Sequence, residues 1–150
     1  MGDRTWVEIV VLKESLPQVK EVLNLLDGEG EINEGVELAY IYFYEVNNGC
    51  LDEQDELTDS GIPYNYEWGN GDNYDAGSKY IRFTPEGGLV HIEYYESELN
   101  PPLEKLLELL YKPKELIQYI QQYADDKTPL PWDNQVEYGK RYRMLQLLNA

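Results

Sequence analysis

The segment 36–46 alternates between two faces with a period of two residues, which is the pattern of a β-strand. It follows an acidic stretch, 29–35, that predicts a loop. Ala39, Ile41 and Phe43 point to one side of the strand. The residues that point to the other side are Leu38, Tyr40, Tyr42, Tyr44 and Val46. Because a strand with large side chains on both faces needs neighbouring strands and a covering layer, this segment commits the chain to a sheet.

Four further segments predict the neighbours of this strand. Residues 5–13 are rich in β-branched side chains. Residues 62–68 predict an edge strand, because Pro63 suits an edge or the start of a strand. Residues 79–84 and 89–95 flank a Pro-Glu-Gly-Gly sequence and predict a hairpin.

Apolar residues at helical spacing predict the helices. One helix starts near Ser15 and ends at Gly28, and a short acidic helix is predicted within 51–60. Two more begin near Asn100 and Pro113, and a last one extends from about residue 133 to 148. In the helix after Pro113, the predicted buried side consists of Leu116, Ile117, Ile120 and Tyr123.

The order of these elements predicts one α+β domain over residues 1–150. We expect a mainly antiparallel sheet of four to five strands, with an N-terminal helix and C-terminal helices packed on it. A chain of 150 residues is the usual size of a single domain with its own core.

The negative charge is concentrated in one part of the chain. The sequence carries 29 carboxylates against 12 Lys and Arg, a net charge of −17. Residues 21–78, the acidic segment, contain fifteen of these carboxylates and no Lys or Arg. A field this asymmetric repels nucleic acid and anionic membranes, and it speeds the encounter with basic partners. The competing explanation is that the acidic surface serves solubility alone.

Carboxylates and aromatic rings alternate within the acidic segment and predict an interface. Carboxylates spread over one surface imitate the phosphates of a duplex, and they equally suit an immunity protein that caps a basic nuclease toxin. The carboxylates predicted to steer a partner are Asp52, Glu53, Asp55, Glu56 and Asp59. The rings predicted to anchor it are Tyr64, Tyr66 and Trp68. The alternative is a solvated helix face and loop.

The tyrosine face of the strand at 36–46 predicts a second kind of site. Tyr40, Tyr42 and Tyr44 suit a small ligand or a carbohydrate if this face is open. If the helices cover the same face, the three rings belong to the core instead.

Sites for catalysis, metals or cofactors have weak support in the sequence. His91 is the only histidine and Cys50 the only cysteine, and neither has an evident catalytic partner. The oxygens of Asp72, Asn73 and Asp75 do not have the spacing of a calcium-binding EF-hand loop. We therefore expect a non-catalytic protein without a metal or cofactor, although an enzyme with paired carboxylates stays open if one acid in a cleft has a raised pKa.

The start of the chain and its cysteine content favour the cytoplasm. The first thirty residues lack the charged and apolar regions of a signal peptide, and no apolar run is long enough for a membrane span. A single cysteine cannot form an internal disulfide and fits a reducing compartment. The expected partner is thus a basic protein rather than nucleic acid or a membrane, and a dimer is possible.

Overall fold

The computed structural model describes residues 3–25 and 29–150. The predicted helix end at Gly28 lies outside the described residues. The strands of the structure are β1 (Arg4–Leu12), β2 (Glu31–Glu34), β3 (Leu38–Asn47), β4 (Tyr64–Trp68), β5 (Gly77–Phe83) and β6 (Leu89–Tyr95). They form one antiparallel sheet in the order β2-β3-β1-β4-β5-β6. The fold is therefore α+β with an antiparallel sheet, as predicted, and β2 adds a strand in the stretch 29–35 that was predicted as a loop.

Helices cover the first face of this sheet and enclose the core. The helices are α1 (Leu16–Val22), α2 (Gln54–Asp59), α3 (Leu103–Glu108), α4 (Pro113–Asp125) and α5 (Gln135–Leu148). Leu16 and Val19 of α1, Leu57 of α2 and Tyr142 of α5 pack against the first face. The strand residues beneath them include Val7, Ile9, Val11, Ala39, Ile41, Ile81 and Phe83.

A β-bulge changes which way the end of β3 faces. The register pairs Val7 with Phe43 but Thr5 with Val46, so two residues of β3 lie opposite Trp6. An extra residue reverses the alternation of every side chain beyond it. Val46 is consequently buried in the core, and the prediction that it shares the tyrosine face is wrong.

The chain after α4 crosses the second face of the sheet before α5 returns to the first. Arg82 on β5 donates to the carbonyl oxygen of Leu130 at 2.9 Å and stacks on Trp132. At the start of α5 the side chain of Gln135 exchanges two hydrogen bonds with the backbone of Phe83, at 2.8 and 3.0 Å. The C-terminal part of the chain therefore contacts both faces of the sheet.

Helices α3 and α4 contribute little to the core. Ile117 and Ile120 are exposed by 67% and 45%, so the predicted buried side of α4 is only half right. Leu116 and Tyr123 are partly buried, and the Tyr123 hydroxyl donates to the carbonyl oxygen of Glu98. Among the described residues, no helix has both the length and the apolar character required to cross a membrane.

Candidate interaction surface

The three aromatic residues predicted as anchors lie in the core. Tyr64, Tyr66 and Trp68 are 0%, 2% and 8% exposed. The prediction that they anchor a partner is wrong because β4 is an interior strand between β1 and β5, rather than an edge. Their alternate positions place all three rings on the face that α1, α2 and α5 cover.

The polar atoms of these rings hold neighbouring loops in place. The Tyr66 hydroxyl donates to the carbonyl oxygen of Gly49 at 2.7 Å and accepts from the backbone N–H of Leu51 at 2.9 Å. Burial raises the pKa of Tyr66 well above its usual value. The indole N–H of Trp68 donates to the carbonyl oxygen of Asp75 at 3.0 Å. The rings thus fix the loops that carry the acids, although they do not contact a partner themselves.

The predicted steering carboxylates lie at the surface. Asp52, Asp55, Glu56 and Asp59 are exposed, and Glu53 is half-buried. Four of the five belong to α2 or to the turn directly before it, and Leu57 alone anchors this helix in the core. Their side chains are therefore available to a partner.

A groove next to this turn collects acids from distant parts of the chain. It lies between the end of β3 and residues 48–53 and has a volume of about 760 Å³. Phe43 and Tyr44 provide aromatic walls. The carboxylates that line it are Glu29, Glu31, Glu45, Asp52 and Glu53. Arg4 forms an exposed ion pair with Glu45 at 3.0 Å.

The tyrosine face of β3 is open, because the helices α1, α2 and α5 pack on the opposite face. Tyr40 and Tyr44 are 38% and 65% exposed. Trp6 stacks on Tyr42 with ring centres 5.9 Å apart, and Tyr42 meets Tyr44 edge to face at 4.8 Å. The Tyr44 hydroxyl hydrogen-bonds the carboxylate of Glu31, which raises the pKa of Tyr44. The three predicted tyrosines are thus side by side on an accessible surface.

A pair of glutamates lies on the same open face. Glu8 of β1 and Glu67 of β4 are direct register partners. Partial burial raises the pKa of Glu67, and the carboxylate of Glu8 raises it further. This satisfies one condition for an enzyme with paired carboxylates. The other condition is a shared cleft, and here Glu8 and Glu67 line separate depressions of about 260 and 340 Å³.

The acidic groove and the open tyrosine face join at two residues. Tyr44 and Glu31 line both the groove and the shallow depression above Tyr40 and Tyr42. We call the combined region the acidic aromatic surface. Its members are Trp6, Glu8, Glu29, Glu31, Tyr40, Tyr42, Phe43, Tyr44, Glu45, Asp52 and Glu53. Sequence spacing gave no sign of this grouping, since only the pairing of β2 with β3 brings Glu31 beside Tyr42.

Other polar groups show no arrangement that would hold a metal. In residues 3–25 and 29–150, no three or more His, Cys, Asp or Glu side chains converge on one point. His91 contacts Glu93 at 3.2 Å on the exposed strand β6, and Cys50 accepts a hydrogen bond from Gln54. Comparisons of the chain with models of protein families, with curated proteins and with solved structures find no match.

Proposed function

We propose that this chain is a non-catalytic interaction protein that binds a positively charged protein surface through its acidic aromatic surface. The observation that supports the proposal is the groove itself, in which five carboxylates surround Phe43 and Tyr44. Concentrated negative charge accelerates the encounter with a basic partner, and aromatic rings supply contact area once the partner has docked.

The two kinds of side chain have separate roles in this proposal. The carboxylates of Asp52 and Glu53, together with those on α2, act over a distance and set the association rate. Tyr44 and Tyr40 act at short range, since both rings are exposed and Tyr44 is held by Glu31. They replace the buried rings of β4 as the expected anchors.

Two classes of protein would use such a surface. One is an inhibitor carried by a phage or another mobile element, which occupies the basic groove of a nucleic-acid enzyme by imitating phosphates. The other is an immunity protein that caps a basic toxin. Both bind a basic protein, and neither binds nucleic acid or a membrane directly. We propose the cytoplasm as the compartment, where the exposed Cys50 stays reduced.

Capture from extracts of the source cell, followed by kinetics with the captured protein, tests the proposal. The test variant combines Glu31→Gln, Asp52→Asn and Glu53→Gln. The matched control combines Glu86→Gln, Glu104→Gln and Glu108→Gln, which removes the same charge from exposed positions outside the surface. At low salt we expect the test variant to associate about tenfold more slowly than the control. Equal rates for the two variants, or capture that is insensitive to salt, would overturn the proposal.

A second candidate function is the binding of a small ligand or carbohydrate. The observation that favours it is the open row formed by Trp6, Tyr40, Tyr42 and Tyr44, which offers flat rings for stacking. A panel of oligosaccharides tests it against Tyr40→Ala and Tyr44→Ala, with Tyr111→Ala as the control because that ring is 90% exposed elsewhere. Stacking depends little on ionic strength, so binding that persists at high salt favours this function over the first.

A further inference from the structure

Strand β6 forms an outer edge of the sheet and directs half of its backbone groups away from it. Next to the strands, Thr84 donates to Gly88 and Glu96 donates to Ala76, both in register with the β5–β6 ladder. Hydrogen-bonded and non-hydrogen-bonded pairs alternate in an antiparallel ladder. The even-numbered residues of β6 therefore bond to β5, and the backbone groups of the odd-numbered residues point outward. Those odd residues are Leu89, His91, Glu93 and Tyr95.

This edge lacks the features that normally prevent strands from pairing. All four odd-numbered residues are exposed, and β6 contains no proline and no lysine. A seven-residue strand with a free, mostly apolar edge is a template for another strand. Only β5 pairs with it in the described part of the chain.

The sequence of β6 is complementary to itself in one antiparallel register. When two copies pair about Ile92, each His91 lies opposite Glu93 of the other copy, and all seven residues find a partner. A register centred on Glu93 instead places two carboxylates opposite each other, which is unfavourable. A register centred on His91 opposes two imidazoles and places Leu89 against Glu93.

We propose that two copies of this chain associate through β6, with Ile92 facing Ile92 across a two-fold axis. Residues 91 and 93 of the two strands form hydrogen-bonded pairs, as do residues 89 and 95, for about eight backbone hydrogen bonds. His91 and Glu93 then alternate across the seam. This contact uses the edge opposite β2, and it does not depend on the proposed function.

The arrangement has a consequence for the acidic aromatic surface. Edge-to-edge pairing makes one twelve-stranded sheet, and a two-fold axis normal to the sheet keeps equivalent faces on the same side. The acidic aromatic surface lies around β3, far from β6 in the strand order. A dimer would thus present two copies of this surface on one side, at opposite ends of the sheet.

Disulfide trapping tests the register. In a Cys50→Ser background, Ile92→Cys places two thiols in a non-hydrogen-bonded pair with Cα atoms about 4.5 Å apart, within the range of a disulfide. Val90→Cys is the control: it lies on the same face, but its copy is displaced by four residues, or about 13 Å. We expect a covalent dimer from Ile92→Cys alone. A monomer from Ile92→Cys, or equal linkage from both variants, would overturn the proposed pairing.

Exchange of charges tests the complementarity by sedimentation equilibrium. His91→Glu places two carboxylates opposite each other twice per dimer, so its self-association should weaken about tenfold. Glu93→Lys should weaken it similarly, and both positions are exposed, which leaves the fold intact. Mixed in equal amounts, the two variants should form a heterodimer with an affinity near that of the original chain. A wild-type chain that stays monomeric, or a mixture without heterodimers, would show that β6 does not bind a second copy, as when it pairs with a different protein.

Discussion

The guanidinium carbon of Arg82 lies 3.7 Å from the centre of the Trp132 ring. The same side chain is 2% exposed and donates to Asn65 at 2.7 Å and to the carbonyl oxygen of Leu130 at 2.9 Å. Among the described residues, no carboxylate forms an ion pair with it, and burial lowers its pKa to about 10. One buried cation therefore connects β4, β5 and the segment that crosses the second face.

Replacement of Arg82 should destabilise the whole fold. Arg82→Met leaves the carbonyl oxygen of Leu130 and the amide of Asn65 without their donor, at a cost of about 3 kcal/mol in the free energy of unfolding. Arg82→Lys should also destabilise, because one ammonium cannot replace the planar fork. Urea unfolding measures both. Arg4→Met, at an exposed ion pair, is the control and should change stability by less than about 1 kcal/mol. A loss at Arg82 no larger than at Arg4 would contradict the structural role.

Tyr66→Phe should cost about 2 kcal/mol at neutral pH, since the backbone N–H of Leu51 and the carbonyl oxygen of Gly49 lose their partner. The raised pKa of Tyr66 adds a pH dependence. Above pH 10.0 the unfolded chain releases the proton while the folded chain keeps it, so stability falls as pH rises. The variant lacks this contribution and should lose stability less steeply from pH 9 to pH 11. Tyr111→Phe, at an exposed ring, should show neither effect.

Glu67→Gln should raise the melting temperature at pH 7. The folded chain binds the Glu67 proton more tightly than the unfolded chain does, so the native carboxylate loses stability as pH rises through the folded pKa. The glutamine has no charge to desolvate and no repulsion from Glu8. The difference should vanish below the unfolded pKa, near pH 3.5, as thermal unfolding at both pH values will show. Glu104→Gln is the exposed control, and a gain of equal size there would refute the explanation.

Gly139→Ala should destabilise the protein although alanine favours helices. A Cβ atom at Gly139 would overlap the carbonyl oxygen of Gly61, because α5 packs there backbone against backbone. Gly61 cannot move easily, since its own φ of +72° belongs to the left-handed region. We expect a loss of about 2 kcal/mol in place of the usual gain of about 1 kcal/mol. Lys140→Ala, one residue further on the exposed side, should be nearly neutral in the same denaturation experiment.

The sequence predicted most strands because their alternation is local. It did not predict which face the helices would cover, and that difference decides the roles of the aromatic residues. Tyr44 and Tyr66 belong to strands with the same alternating pattern, yet one is exposed and the other is in the core. Strand β2 escaped prediction because Glu-Ile-Asn-Glu has little β-propensity and owes its conformation to pairing with β3.

The groove was beyond sequence reasoning for a related reason. Asp52 and Glu53 were predicted from their local density of charge. Glu31 and Glu45 join them only because β3 extends past the end of β2 and the following turn folds back. Contacts between residues far apart in the chain leave no mark in a single sequence.

The position of β1 in the centre of the sheet bears on how the chain is made. β1 leaves the ribosome first, but its neighbours β3 and β4 end only at Asn47 and Trp68. At about 5–20 residues per second, β1 waits roughly 3 to 10 s for its second partner. Its Val-Glu-Ile-Val-Val-Leu sequence is prone to aggregate while it stays unpaired. The strand that is best protected in the finished protein is therefore the one most exposed during synthesis.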